Sequence, residues 1–188
     1  PVTAAAADGA ALVIPVRDPR LWRPDDPHLY EMTFEVLDSD GHSLDQVSSY
    51  AGLRKVHVEG NRIFLNNEPL YQRLVLDQGF YPDGIWTAPS DAALKEDIEL
   101  SMRAGFNGAR LHQKVFEERF HHWADRLGYL TWGEFSSWGC GPHSAQGARN
   151  FLSEWREIVE RDRNHPSIIA WTPWNETWGL GDDPRAHH

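Results

Sequence analysis

Short stretches that alternate between apolar and polar residues predict β-strands in the first 60 residues. Leu29–Leu37 has apolar side chains at roughly every second position, which is the period of a half-buried strand. The turn residues Asp38–Gly41 follow, so Leu44–Tyr50 can return antiparallel to that strand. Further candidate strands are Ala11–Val16, Val56–Val58 and Ile63–Leu65. Residues 1–60 thus indicate packed β-sheets, but they supply only three to five strands, whereas a complete immunoglobulin-like β-sandwich has about seven.

From Pro69 onward, short apolar runs alternate with segments whose apolar residues recur every three or four positions. That spacing predicts helices. The first begins after Ser90 and ends near Gly105, the second ends at Gly128, and the third contains Phe151–Val159. The predicted strands between the helices are Leu70–Leu76, Asn107–Leu111, Tyr129–Phe135 and Ile168–Trp174. Repeated units of strand and helix imply a parallel sheet with right-handed crossovers.

Such a sheet can stay open and doubly wound, or it can close into a barrel. The turn after the first strand, residues 77–84, has neither the G-x-G-x-x-G pattern nor the Walker lysine that mark nucleotide sites. Polar and aromatic residues follow each strand instead, which favours a (β/α)8 barrel, the TIM barrel. A complete barrel takes about 250 residues. The pattern therefore predicts an α/β chain with packed β-sheets in residues 1–60 and barrel strands 1–4, in that order, in residues 61–188.

Charge and composition disfavour several classes of function. With 28 acidic and 18 basic residues the formal net charge is −10, which speaks against a nucleic-acid partner. No stretch approaches the roughly 20 apolar residues of a membrane span. The single cysteine, Cys140, excludes an internal disulfide and fits a reducing compartment such as the cytoplasm, although a secreted enzyme without disulfides would look the same. Nine tryptophans suit either core packing or the flat faces of sugar rings.

Polar side chains that follow the predicted strands form the candidate site. They are Asp77 and Gln78, Arg110, His112 and Gln113, Glu134, and Asn175 and Glu176. Because barrel enzymes carry their chemistry at the carboxyl ends of the strands, these residues should converge at one end of the sheet. No metal-ligand set or cofactor motif accompanies them. His121 and His122 are neighbours on a predicted helix and do not face one ion together, so we expect both at the surface.

Glu176 is the candidate proton donor. It follows a predicted buried strand and lies near Trp171, Trp174 and Trp178, and apolar surroundings raise the pKa of a carboxylic acid. Cleavage of a glycosidic bond needs such a group, protonated near neutral pH. On residue type and position alone, the alternative is that Glu176 is a salt-bridge partner at the barrel rim. Glu134 also has two possible roles, as a structural partner of Arg110 or as a sugar contact.

Several motifs resemble glycoside hydrolase family 2, which includes β-galactosidases, β-glucuronidases and β-mannosidases. The most specific is Arg161–Ile169 followed by Trp171 and then Asn175–Glu176, which resembles the acid/base signature of the family. Other stretches that resemble the family, in the right order, lie within Leu21–Tyr30, Gly52–Lys55, Leu65–Leu70, Gly105–His112 and Asp125–Glu134. The resemblance covers nearly the whole chain. It implies that residues 1–60 are the C-terminal part of an immunoglobulin-like β-sandwich and that residues 61–188 are the N-terminal half of the TIM barrel.

This resemblance implies a retaining β-glycosidase that acts on β-galactoside-type or related glycosides without a cofactor. Glu176 would be the general acid/base, and Asn175 would bind the hydroxyl next to the anomeric carbon. Arg110 and His112 would line the subsite of the cleaved sugar. Further expected substrate contacts are Asp77, Glu134 and Trp174. The nucleophilic glutamate normally lies on the seventh barrel strand, which this chain lacks, so the isolated chain should be inactive.

The first barrel strand departs from the family pattern. It reads Arg73–Gln78 where many members have a glycine and then Asn-(Arg/His)-His, so the cleaved sugar stays open and Asp77 is distinctive. A carbohydrate is the expected partner, and a homo-oligomer of the full-length protein is compatible with the sequence. The alternative function is a non-catalytic carbohydrate-binding protein that kept the barrel cleft. A second glutamate on a later strand would distinguish the two.

Overall fold

The computed structural model describes residues 2–7, 9–138 and 144–176, and its N-terminal part contains two antiparallel sheets. The first pairs β1 (Tyr30–Leu37) with β2 (Ser43–Ala51), the hairpin that the sequence predicts. The second places β3 (Val56–Glu59), β4 (Arg62–Leu65) and β5 (Glu68–Pro69) side by side. The predicted domain boundary between residues 60 and 61 falls in the turn between β3 and β4, and it stays a prediction.

The chain then continues as repeated units of strand and helix. In order they are β6 (Leu74–Asp77), α1 (Asp91–Arg103), β7 (Gly108–Leu111), α2 (Glu118–Leu127), β8 (Leu130–Glu134), α3 (Ala145–Asp162) and β9 (Ile168–Thr172). The four strands pair in parallel in the order β6-β7-β8-β9. In a doubly wound sheet the spatial order of the strands would not follow their order in the sequence. The prediction of a partial (β/α)8 barrel preceded by sandwich strands is therefore confirmed.

Capping residues set the limits of the helices. Ser90 Oγ accepts a hydrogen bond from Ala93 N (3.2 Å) at the start of α1, and Ser144 Oγ accepts one from Gly147 N (2.9 Å) at the start of α3. Helix α2 ends at Gly128, whose φ of +75° is a conformation that glycine adopts without a steric penalty. Within the described ranges, no helix combines the length and the apolar character that crossing a bilayer requires.

Two apolar clusters hold the sheet to its neighbours. The first lies between α1, α2 and β7 and contains Leu94, Ile98, Ala109, Leu111, Phe116, Phe120, Ala124 and Tyr129. The second joins Trp22 and Leu65 of the N-terminal part to Leu130 of β8 and Ile169 of β9. Full burial of a large apolar side chain stabilises a fold by about 1.5–3 kcal/mol. The second cluster therefore fastens the N-terminal part to two barrel strands.

Two of the predicted strands differ from the structure. Ala11–Val16 has no regular secondary structure and its side chains are exposed, that of Val13 by 86%, so the predicted strand there is wrong. An apolar run forms a strand only where a partner pairs with its backbone, and no described strand pairs with this one. β1 does form, but Phe34 and Val36 are 52% and 57% exposed. A half-buried strand needs a second layer to pack on, and these two side chains face solvent instead.

Asp125 of α2 is a buried anion that joins three segments of the chain. Its carboxylate accepts hydrogen bonds from Tyr50 OH (2.8 Å), His165 Nδ1 (2.6 Å) and Ser167 N (2.9 Å), and its relative exposure is 0%. Its backbone carbonyl accepts a further bond from Trp22 Nε1 (2.7 Å). Hydrogen bonds to a charged group are stronger than neutral ones. Asp125 thus connects β2 and the Trp22 segment to the turn from which β9 begins.

His121 lies in the same region, and the prediction that it is a surface residue is wrong. Its side chain is buried, with a relative exposure of 1%. The ring centroid lies 5.1 Å from that of His165, and Nε2 lies 3.8 Å from Asp162 Oδ2. Burial, helped by the charge of His165, lowers the pKa of His121 to about 3. The two neighbouring helical residues point in different directions, so only His122 is partly exposed.

We predict that Asp125→Asn destabilises the chain by about 2–4 kcal/mol, because the amide offers protons where Tyr50 OH and His165 Nδ1 need an acceptor. Tyr50→Phe removes a single hydrogen bond and should reduce the free energy of unfolding by about 1 kcal/mol. Both free energies are measured by urea denaturation of the 188-residue chain. An Asp125→Asn variant as stable as the wild type would contradict the central role of this carboxylate.

We also predict a pH dependence that originates in His121. Its pKa is lowered in the folded state, so below the ordinary value of 6.5 the unfolded chain binds a proton that the folded chain does not bind until about pH 3. This contribution to stability is complete above pH 6.5 and declines by about 1 kcal/mol per pH unit as the pH falls towards 3. His121→Leu should remove that slope from the free energy of unfolding. A slope that persists in the His121→Leu variant would contradict this assignment.

Candidate active site

The parallel register brings the carboxyl ends of the four barrel strands to one edge. Asp77 of β6 pairs with Leu111 of β7, and Glu134 of β8 pairs with Thr172 of β9. The residues after these positions therefore leave the sheet on the same side. This is the end at which barrel enzymes carry their chemistry.

Arg110, Glu134 and Asn175 form a connected cluster at this edge. Arg110 Nε and Nη2 donate to the two carboxylate oxygens of Glu134 at 2.7 and 3.1 Å. Arg110 Nη2 also donates to Asn175 Oδ1 at 2.7 Å. Gln113 N gives Glu134 a third donor at 3.0 Å. The Glu134 side chain is fully buried, so the bidentate pair with Arg110 neutralises a carboxylate that water does not reach.

The backbone of Asn175 is held by Ser137, in the segment that follows β8. Ser137 Oγ accepts a hydrogen bond from Asn175 N (3.1 Å) and lies 3.1 Å from Asn175 O, to which it donates. Asn175 is itself buried, with a relative exposure of 8%. These contacts fix both the backbone and the side chain of Asn175. The position at which Glu176 leaves the sheet is thereby fixed as well.

Glu176 is exposed, and no described side chain hydrogen-bonds to its carboxylate. The expected apolar surroundings are not found among the described residues. Trp174 stacks on Phe151 of α3 with ring centroids 3.7 Å apart, and Trp171 meets Trp155 edge to face. These two indoles thus pack against aromatic side chains of α3. Trp178 lies outside the described residues, as does Cys140.

Asp77 and His112 belong to a neighbouring set of contacts on the same edge. The Asp77 carboxylate accepts a hydrogen bond from Gly79 N (2.8 Å), and the Asp77 carbonyl accepts one from His112 N (2.7 Å). His112 Nδ1 lies 3.0 Å from Gln78 Nε2. Burial raises the pKa of Asp77. The Asp77 side chain therefore stabilises its own loop, and among the described contacts it does not join the cluster around Arg110.

Strained backbone marks the same edge. Gln113 and Glu176 have φ angles of +51° and +48°, and Ile85 has a φ of +58°. These residue types rarely adopt the left-handed region, and a β-branched residue there is an outlier. Among the described residues, the other non-glycine residues with positive φ are of types for which this conformation is ordinary: Asp18, Asn66 and Asn67. Strain of this kind collects at functional sites. No pattern in the sequence predicts it.

Lys114 is a further residue that the sequence analysis did not select. Its Nζ donates to the carbonyl oxygens of Gly79 (3.0 Å) and Trp86 (2.8 Å), and so it holds the loop after β6 from within. Burial lowers the pKa of Lys114. A single lysine after a strand gives no signal in a sequence, because its partners are backbone atoms.

The described residues contain one group of three side chains that could hold a metal ion. It consists of Asp38, Asp40 and His42 in the turn between β1 and β2. This turn belongs to the N-terminal hairpin and not to the edge that carries Arg110 and Asn175. The side chains at that edge are guanidinium, amide, imidazole and carboxylate groups, which suit the binding of a polar, uncharged or anionic ligand such as a sugar.

Comparisons with known proteins agree with this architecture. Residues 2–54 match the family model described as glycosyl hydrolases family 2. The β-galactosidases of Photobacterium profundum and Pseudoalteromonas haloplanktis are 30% and 31% identical to the chain over 169 and 170 residues. These alignments cover 86% and 87% of the chain but only 16% of each relative. The chain thus spans about a sixth of the length of these curated relatives.

The solved structures give a similar result. The β-glucuronidase from Ruminococcus gnavus in complex with D-glucuronic acid superposes with a TM-score of 0.80 at 28% identity, over 89% of this chain and 29% of that one. The Parabacteroides merdae β-glucuronidase, with a TM-score of 0.73 at 20% identity, shares the fold. The relatives and the structural neighbours are glycoside hydrolases. Within that class the motifs, the family model and the relatives agree, and the resemblance to glycoside hydrolase family 2 is confirmed.

We predict that Glu134→Gln destabilises the chain by about 2 kcal/mol, because the amide leaves the partly buried Arg110 without its counter-charge. Glu99→Gln is the matched control, since Glu99 pairs with Lys95 on an exposed helix face and should change stability by less than about 0.5 kcal/mol. Urea denaturation measures both effects. If the two variants were equally stable, the role of Glu134 as the structural partner of Arg110 would be wrong.

Proposed function

We propose that this chain is the acid/base-bearing part of a retaining β-glycosidase that hydrolyses β-galactoside-type or related glycosides. The observation that carries the proposal is the placement of Glu176. Its carboxylate is exposed at the carboxyl edge of the parallel sheet, directly after Asn175, which Arg110 and Ser137 hold in place. The positive φ of Glu176 supports a functional role, because backbone strain of this kind collects at functional sites.

Retaining hydrolysis uses two carboxyl groups on opposite sides of the bond that breaks. In the first step Glu176 donates its proton to the glycosidic oxygen while a second carboxylate attacks the anomeric carbon. In the second step the Glu176 carboxylate takes a proton from the water molecule that releases the sugar. The same residue thus serves as acid and then as base.

The second carboxylate lies outside this chain under this proposal. Glu134, on the neighbouring strand β8, is the candidate within it, but its two oxygens already bind Arg110 and Gln113 N, and its side chain is fully buried. A nucleophile needs a free lone pair aimed at the substrate. The isolated chain is accordingly expected to have no turnover, and activity belongs to the full-length protein.

Asn175 and Arg110 support the binding of the cleaved sugar. Asn175 Oδ1 accepts from Arg110, and no described residue accepts a proton from the Asn175 amide nitrogen, so that group can donate to a sugar hydroxyl. His112 lies on the adjoining strand end, next to Gln78. The relatives named above are β-galactosidases and β-glucuronidases, and the departure at Asp77-Gln78 leaves the choice between such sugars to experiment.

The central prediction concerns Glu176→Gln in the full-length protein. For alkyl β-glycosides, whose leaving oxygens need a proton, kcat/KM should fall by about 10²–10⁴-fold. For nitrophenyl β-glycosides the first step should be partly spared, because nitrophenolate leaves with little protonation. Steady-state kinetics on a panel of galactosides and glucuronides, with burst analysis, measures both effects.

Glu154→Gln, at an exposed position of α3, is the control and should leave kcat/KM unchanged. Cleavage of alkyl glycosides that survives Glu176→Gln would remove the acid/base role. Turnover by the 188-residue chain alone, abolished by Glu134→Gln, would show that both carboxylates lie within this chain. Sugar binding by the full-length protein without turnover of any glycoside would favour the carbohydrate-binding alternative.

A further inference from the structure

Two large aromatic side chains are exposed on the loop that follows β6. Phe80 is 59% exposed and Trp86 is 53% exposed. Their ring centroids lie 5.7 Å apart and their planes are inclined by 47°, so the rings form an open angle and not a stack. Single exposed apolar side chains are common, but an adjacent aromatic pair is a patch that calls for an explanation.

The loop that carries these rings is fixed by contacts within the chain. Lys114 Nζ binds the carbonyl oxygens of Gly79 and Trp86, at the two ends of the segment that holds both rings. Tyr81 and Ile85 pair through two backbone hydrogen bonds (2.8 and 3.1 Å). Tyr81 OH also donates to Asp97 of α1 at 2.6 Å. The rings are thus exposed on an ordered loop that is bonded at both ends.

Ile85, the residue before Trp86, has a φ of +58°. A β-branched side chain in the left-handed region is strained, and such strain persists only where the surrounding structure imposes it. The strain sets the direction in which the chain enters Trp86. Together with the bonds from Lys114, it supports a role for the orientation of this indole.

The loop that carries the aromatic pair begins at the candidate active site. Gln78, two residues before Phe80, contacts His112 at the end of β7. The loop lies at the carboxyl edge of the sheet, where barrel enzymes bind substrate. The loop that carries the two rings therefore leaves the sheet at the same edge as the residues proposed to bind the cleaved sugar, on the side of β6.

We propose that Phe80 and Trp86 form a subsite that stacks against the leaving-group sugar, the ring on the far side of the cleaved bond. A pyranose offers a flat face of C–H groups, which an aromatic ring binds while the hydroxyls stay in water. An enzyme that releases a single terminal sugar can bind a second sugar ring only on the leaving-group side of the cleaved bond. This proposal rests on the proposed function and extends it to disaccharides and longer glycans as substrates.

The test compares two substrates of the full-length protein that share the cleaved sugar. Lactose carries a leaving-group sugar, whereas β-galactosyl fluoride has a leaving group without a ring; glucuronyl counterparts replace both if glucuronides are cleaved. Trp86→Ala should lower kcat/KM for the disaccharide by about tenfold, mainly through KM, and for the fluoride by less than about twofold. Trp86→Phe keeps a ring and should retain most of the activity on the disaccharide.

Tyr71→Ala is the matched control. Tyr71 is 78% exposed and precedes β6, at the opposite end of the sheet, so its loss should affect neither substrate. If Trp86→Ala lowers kcat/KM equally for both substrates and also lowers the Tm, the aromatic pair packs against another part of the protein. That result would overturn the proposed subsite. An unchanged ratio of the two kcat/KM values at an unchanged Tm overturns it as well.

Failure of the proposed function is a separate outcome. If the full-length protein cleaves none of these substrates, calorimetric titration with lactose and with a glucuronyl disaccharide still tests the subsite. Binding that Trp86→Ala weakens and Tyr71→Ala does not would support the subsite without catalysis. Absence of binding to either disaccharide would overturn it.

Discussion

The ion pair between Arg110 and Glu134 is the interaction on which the carboxyl edge of the sheet depends. A carboxylate buried at the end of β8 is stable only with hydrogen-bond donors around it. Arg110 of β7 and the backbone N–H of Gln113 are these donors, since the buried side chain does not reach solvent. The guanidinium that neutralises Glu134 also holds Asn175. One desolvated charge thus determines where the residue before Glu176 lies. The exposed carboxylate is positioned by the buried one.

Asp125 has a corresponding role near the opposite end of β9. Ser167 N, which it binds, directly precedes this strand, while Asn175 follows it. β9 is therefore held by a buried anion before its first residue and by a buried ion pair after its last. Because Tyr50 and Trp22 also bind Asp125, the N-terminal part contributes to the placement of a strand that leads to the candidate acid/base. Packing of the two parts and geometry of the site are coupled through this side chain.

Much of the architecture followed from local patterns, and the exceptions have physical reasons. Helical spacing, Ser90 and Gly128 predicted α1 and α2 because these signals act within one turn of helix. The strand predicted at Ala11–Val16 is wrong because a strand forms only with a partner strand, and a local pattern does not show whether one is present. His121 was predicted at the surface because its burial depends on residues distant in sequence, among them His165. Likewise, the motif indicated Glu176, but the packing of Trp171 and Trp174 on α3 depends on tertiary structure.

Gly128 lies so close to Pro24 that a side chain at this position is incompatible with the observed packing. A Cβ at this position would lie 2.1 Å from the Pro24 carbonyl oxygen, and the φ of +75° disfavours any side chain independently. A homologue with a larger residue there must seat its N-terminal segment differently against the end of α2. The identity of this single residue can therefore sort related sequences into those that inherited the same docking of sandwich on barrel and those that rebuilt it.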